Sequence, residues 1–159
     1  MKLEEIRPIA EKYKDLLAPY CKRIEIAGSI RREKAECGDI ELVLVRDEDM
    51  VHSLEDVLAN TVKIRGTITG RYTQRMLPEG IKIDIFMAQE DNWGNIFLIR
   101  TGNWRFSRFM MGIRAKQVGL LHRGGYLWRG ADQLYCYEEE DVFRELKMDF
   151  VDPRDRELE

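Results

Sequence analysis

Three acidic residues in apolar surroundings are the groups best placed to do chemistry in this sequence: Asp39, Glu41 and Asp84. Asp39 and Glu41 bracket an isoleucine in Asp39-Ile40-Glu41-Leu42-Val43-Leu44-Val45, and Asp84 lies inside Ile81-Lys82-Ile83-Asp84-Ile85-Phe86. Successive side chains of a strand point to opposite faces, so Asp39 and Glu41 share one face while Ile40, Leu42 and Leu44 take the other. By the same rule Lys82, Asp84 and Phe86 oppose Ile81, Ile83 and Ile85. Carboxylates side by side on a half-buried strand are costly unless a cation or a proton neutralises them. A divalent metal carrying a phosphate substrate would do so. Ahead of the first pair, Gly28-Ser29-Ile30-Arg31-Arg32 joins a Gly-Ser turn to two arginines, and the planar guanidinium suits phosphate oxygens. The combination reads as a nucleotidyl-transfer site; the plainer alternative is a solvated acidic strand face.

The elements that must position these groups follow from periodicity. Apolar residues at Leu3, Ile6, Ile9, Ala10, Tyr13, Leu16 and Leu17 have the spacing of an amphipathic helix over 3–17, closed by Pro19. A strand over 23–27 leads into the Gly28-Ser29 turn, which opens a short helix through Glu33 and turns free backbone N–H groups toward an anion. A second strand covers 39–45 and a helix 51–59. Segments 61–67 and 68–76 pair as strands around Gly66 or Gly70, and Pro78-Glu79-Gly80 turns into the strand 81–87. The rest is mostly helical: 93–99 and 104–118, broken at Thr101-Gly102, with Gly119 as a stop signal. A hairpin centres on Gly124-Gly125 and a final helix covers 138–147. The expected fold is α+β, with a boundary near residues 88–95.

Composition narrows the function classes. With 44% hydrophobic and 35% charged residues the chain reads as a folded globular protein, long enough at 159 residues for one core or two small ones. No apolar run approaches the ~20 residues of a membrane span, and Met1-Lys2-Leu3-Glu4-Glu5-Ile6 is too charged for a signal peptide. Cys21, Cys37 and Cys136 have no metal-ligand spacing, which points to an intracellular, reducing location and no secretion. His52 and His122 stand far apart, which argues against zinc. The net charge of −3 opposes a nucleic-acid partner, but the charge is uneven. Between Asn92 and Ala131 there is no acid, while Arg100, Arg105, Arg108, Arg114, Lys116, Arg123 and Arg129 are basic. Residues 132–159 hold eleven acids against four bases. A local field attracts phosphates whatever the total, so the basic stretch suffices for a DNA-facing surface; a solvated basic helix is the alternative.

The segment Gly28 to Val45 resembles the nucleotidyltransferase motif of the family X DNA polymerases, the DNA polymerase beta-like group. Its elements are Gly28-Ser29, Arg31-Arg32, then Gly38-Asp39-Ile40-Glu41, with the later apolar strand carrying Asp84. Arg100-Thr101-Gly102-Asn103, with Phe106, Met110 and the stretch 114–120, is similar to the family's Thr-Gly-Ser junction and following helix. Asp141-Val142-Phe143 and Pro153-Arg154-Asp155-Arg156 are similar to its closing motif. Glu41 stands where the family has an aspartate, Ile99 and Arg100 where it often has an aromatic pair, and Asn103 where it has serine. The resemblance spans residues 20–157.

The resemblance implies a nucleotidyltransferase palm over residues 1–90, a mixed β-sheet with flanking helices, and a small, mainly helical thumb over 91–159. With the first strand about twenty residues from the start, palm and thumb alone are expected, without the family's lyase domain or fingers. It implies two Mg2+ ions, with Mn2+ as a substitute, held by Asp39, Glu41 and Asp84. Ser29, Arg32, Gly38, Thr101, Gly102 and Asn103 would bind the nucleotide; Asn103 reads equally as a helix N-cap. Lys82, Arg105, Arg108 and Arg114 would face DNA, although Lys82 could as well balance the acids. Arg31 is expected in a surface ion pair, because neighbours on a helix face about 100° apart. The implied partners are gapped or primer-template DNA and a dNTP, with no membrane, and the chain is expected to act as a monomer. The implied activity is addition of a dNMP to a primer 3′-hydroxyl in short gap filling or repair. The alternatives are a template-independent nucleotidyltransferase acting on protein, RNA or a small molecule, and an inactive nucleic-acid-binding relative.

Overall fold

Helix α1, Leu3–Leu17, buries Ile6, Ala10, Tyr13 and Leu17, one stripe at helical spacing, against a five-stranded sheet. The computed structural model describes residues 1–159. It is mixed α+β and divides into two compact units, Met1–Ala88 and Gln89–Glu159.

The first unit is the sheet and its helices. Strands β1 (Cys21–Ile26), β2 (Ile40–Arg46), β3 (Val62–Gly66), β4 (Tyr72–Met76) and β5 (Lys82–Met87) lie in the order β1-β2-β5-β4-β3. Only β2 and β5 run parallel. A parallel pair requires a crossover, and the chain makes it through helix α3, Val51–Val57, and the β3–β4 hairpin. Ile24, Ile40, Leu42, Leu44, Ile83 and Ile85 on one sheet face pack with the buried stripe of α1 and with Leu54 and Leu58. That leaves the other face of β2 and β5 to carry Glu41 and Asp84. It is not wholly polar: Val43 and Val45 on that face are buried too.

Boundaries shift where local geometry overrides periodicity. Asp39 lies just before β2 instead of opening it. The one-turn helix α2, Gly28–Arg31, stops short of Glu33, whose φ of 58° is left-handed and cannot continue a right-handed helix. Segment 1–3 pairs with segment 35–37 through Leu3 N–H to Ala35 O (3.0 Å) and Cys37 N–H to Met1 O (2.9 Å), fastening the loop that leads to Asp39.

The second unit begins with α4, Trp93–Thr101, and α5, Trp104–Arg108. The helix expected over 104–118 contains a π segment, Phe109–Arg114, before α6, Ala115–Gln117. Buried Phe106, Met110 and Ala115 are spaced by four and then five residues, and the wider turn returns Ala115 to the face of Met110. The Ala115 N–H accordingly donates to Met110 O, five residues back. Beyond them, β6 (Leu121–Arg123), β7 (Tyr126–Arg129) and β8 (Asp132–Leu134) form an antiparallel meander, followed by α7, Glu139–Glu145. Strand β8 is short and polar, which hides it from a periodicity reading, so this unit carries a small sheet as well as helices. Its core joins Leu98, Phe106, Leu127, Val142, Phe143 and Leu146.

Candidate active site

Strand register assembles the site. Glu41 on β2 is the partner of Asp84 on β5, and Asp84 is the partner of Gln74 on β4, so the three form one row across the sheet. In the next row Val43, Phe86 and Tyr72 are aligned in the same way. Asp84 is only 5% exposed. Its Oδ1 accepts hydrogen bonds from the Tyr72 hydroxyl and from Gln74 Nε2, the latter at 2.9 Å.

Asp39 reaches this row from its bend. Its carboxyl is held above the usual range by burial, by the charge of Asp84 and by a hydrogen bond with Asp84, while the Lys82 ammonium pulls the other way. Two carboxyls in contact, one half-buried and one buried, repel each other when both are charged. A shared proton or a bound cation resolves the conflict. Of the two tasks expected for Lys82, balancing the acids accords with its charge at Asp39.

Glu41 is fastened to the Gly28 turn. Its backbone carbonyl accepts from Ala27 N–H at 2.8 Å, and its carboxylate lies against Gly28, where a Cβ would collide with it. Gly28 has φ +62°, a conformation glycine adopts without penalty. The Gly-Ser turn is thus locked to the acid strand. Ser29 and Arg32 are half-buried on and beside α2, and Gly38 is exposed. Added at Gly38, a Cβ would meet no atom within 4 Å.

The donor set is all oxygen, which suits Mg2+. Asp39 and Asp84 supply carboxylate oxygens of the kind such an ion takes. No group of three His, Cys, Asp or Glu side chains is gathered as around a metal.

Several of the second unit's expected residues have structural tasks. Thr101 is fully buried. At Gly102 a Cβ would stand 2.5 Å from Phe106 Cδ1, so packing within the unit already requires the glycine. Asn103 caps α5, its Oδ1 accepting from Phe106 N–H at 2.8 Å, and its Nδ2 donates to Glu157 Oε2 (2.9 Å) and Leu158 O (3.0 Å). Arg114 donates to Leu146 O and Lys147 O, both at 2.9 Å, and so holds the end of α7. Arg105 and Arg108 are exposed, and Arg105 lies over the Trp104 ring, 5.1 Å from its centroid. Trp104 is 65% exposed, whereas Trp93 is fully buried.

Two groups escaped the sequence reading. Tyr72 and Gln74 gave no signal, since single polar residues on an edge hairpin have no periodicity of their own. Lys63, Arg65, Arg71 and Arg75 form a second acid-free basic run, between Asp56 and Glu79, on β3, β4 and their connection; a charge count by segment would have found it. No protein-family model matches the chain, and no curated protein matches it.

Proposed function

We propose that the chain is a divalent-metal-dependent nucleotidyltransferase of the family X DNA polymerase type, adding a dNMP from a dNTP to a DNA primer 3′-hydroxyl. The observation that carries this reading is the contact between Asp39 and Asp84, two like-charged carboxyls beside the strand that Glu41 locks to the Gly28-Ser29 turn. Asp39, Glu41 and Asp84 would hold two Mg2+ ions, with Mn2+ as a substitute. Bound there, the metal supplies the positive charge that stabilises the attacking and leaving oxygens of phosphoryl transfer.

The chain's own groups do the remaining work. Asp84, oriented by Tyr72 and Gln74, would lie beside the primer hydroxyl. Ser29 and Arg32 would bind triphosphate oxygens, and the open space at Gly38 would admit the nucleotide close to the backbone. Exposed Arg105 and Arg108 would meet DNA phosphates. In this reading the first unit is the palm and the second the thumb.

A primer-extension assay tests it, using gapped, primed and single-stranded DNA in Mg2+, each with one labelled triphosphate and with Asp39→Asn as control. The expected result is templated addition that the control lacks. Addition without a template would instead mark a template-independent transferase. DNA binding without Mg2+-dependent turnover would mark an inactive relative.

A further inference from the structure

Two side chains outside the acid set converge on a single oxygen of the buried acid. Tyr72 and Gln74 are alternate residues of β4 and share a face. Gln74 sits directly across from Asp84, while Tyr72 sits across from Phe86 and reaches Asp84 diagonally, within the range of an aromatic side chain. Both donate to Asp84 Oδ1. The Tyr72 ring is stacked on Phe86, with centroids 4.9 Å apart and planes 24° from parallel, so the direction of its hydroxyl is set by packing. Two donors on one oxygen restrict the rotation of a carboxylate. Both donors are neutral, so they orient the anion without cancelling the charge that a cation would seek. A lysine or arginine in either place would compete with the metal.

We propose that Tyr72 and Gln74 are positioning residues that fix the Asp84 carboxylate for a divalent cation shared with Asp39. This rests on the reading of Asp39 and Asp84 as a cation site. Groups that hydrogen-bond a ligating carboxylate typically change metal affinity by about 10–100-fold when removed.

The test is Mn2+ titration of the whole chain, without nucleotide or DNA, followed by electron paramagnetic resonance and paired with thermal unfolding. Tyr72→Phe keeps the ring on Phe86 and removes only the hydroxyl; Gln74→Met keeps the length and removes the donor. Each is expected to weaken Mn2+ binding about tenfold with an unchanged unfolding midpoint, and Asp84→Asn to abolish the site. If Asp84→Asn abolishes binding while both variants bind within twofold of wild type, the positioning role is overturned and the cation site stands. Weakening that tracks a lowered midpoint overturns it too, because the residues then serve only the fold. If wild type binds no Mn2+, or Asp84→Asn binds it unchanged, the cation site falls and the inference with it.

Discussion

Each unit buries a carboxylate almost completely, and the two have opposite surroundings. In the second unit Glu139, 4% exposed, meets Arg156, which is fully buried. Arg156 donates to both Glu139 oxygens and, through Nε, to Val151 O at 2.9 Å. Its guanidinium also lies 5.4 and 5.2 Å from the ring centroids of Phe143 and Phe150. Charge and hydrogen bonds are satisfied within the chain. In the first unit Asp84 meets neutral donors and another acid, Asp39. A balanced buried pair serves the fold. Two like-charged acids, offset only by the Lys82 ammonium near Asp39, leave negative charge that a cation from outside the chain could neutralise. The contrast separates Arg156, which fastens the C-terminal tail to α7, from the acids, which the proposed function gives a chemical task.

The largest expected effect would break this contrast at the acid pair. Asp39→Asn and Asp84→Asn should each lower Mg2+-dependent nucleotide transfer by about a thousandfold or more, roughly 4 kcal/mol of transition-state stabilisation. Their unfolding midpoints in EDTA should stay level or rise, since each removes a like charge. Activity within tenfold of wild type in either variant would remove the site.

The buried ion pair should respond in the opposite sense. Arg156→Met leaves Glu139 buried without a counter-charge and should cost about 3–5 kcal/mol in urea unfolding. Arg156→Met combined with Glu139→Leu should recover much of that loss. A single variant costing under about 1 kcal/mol would show that the pair does not hold the tail.

Asn103 sharpens the comparison, because its backbone N–H donates to Arg156 O at 3.2 Å. Asn103→Ala should cost about 1 kcal/mol as a lost helix cap; Asn103→Asp keeps the cap acceptor but loses the donor to Glu157 and should recover only part of that. A variant of unchanged stability but raised KM for the nucleotide would instead make Asn103 a ligand contact.

The smallest effect belongs to an exposed pair in the same tail. Hydrogen bonds from the Arg154 side chain and backbone pull the Asp152 carboxyl down to about 2. A depressed carboxylate contributes stability above its ordinary value of 3.8 and loses it as pH falls through the folded value. Wild type should therefore lose a slight advantage over Asp152→Asn between about pH 4 and pH 2, and added salt should erase it. An advantage that survives salt would place this pair with the buried one.

The sequence made much of the first unit legible. The alternation around Asp39, Glu41 and Asp84 was readable because period two belongs to any strand, and α1 because its apolar stripe is long. Asn103 was legible as an N-cap. Other readings depended on what lay opposite. Arg114 looked like one more base in a basic run until the carbonyls of α7 were placed against it. Gly102 has a packing reason, the Phe106 ring against its missing Cβ, that its neighbours in sequence do not reveal. Trp93 and Trp104 were alike as letters, yet one is buried and one exposed.

By itself, then, the chain's order of residues determined most of the strands and helices and which side chains share a face, because those depend on neighbours a few bonds away. It also determined the segregation of charge, with basic runs at 63–75 and 100–129 and an acidic end. Only the tertiary structure decided that β2 and β5 are adjacent and parallel, and in which register, because pairing joins residues more than forty positions apart in sequence. That register sets Glu41 beside Asp84 and Gln74 beside it in turn, and the fold brings Asp39 into contact with Asp84. It likewise decided that Glu41 turns toward Gly28, since the packing of one side chain into a turn depends on atoms that periodicity does not describe.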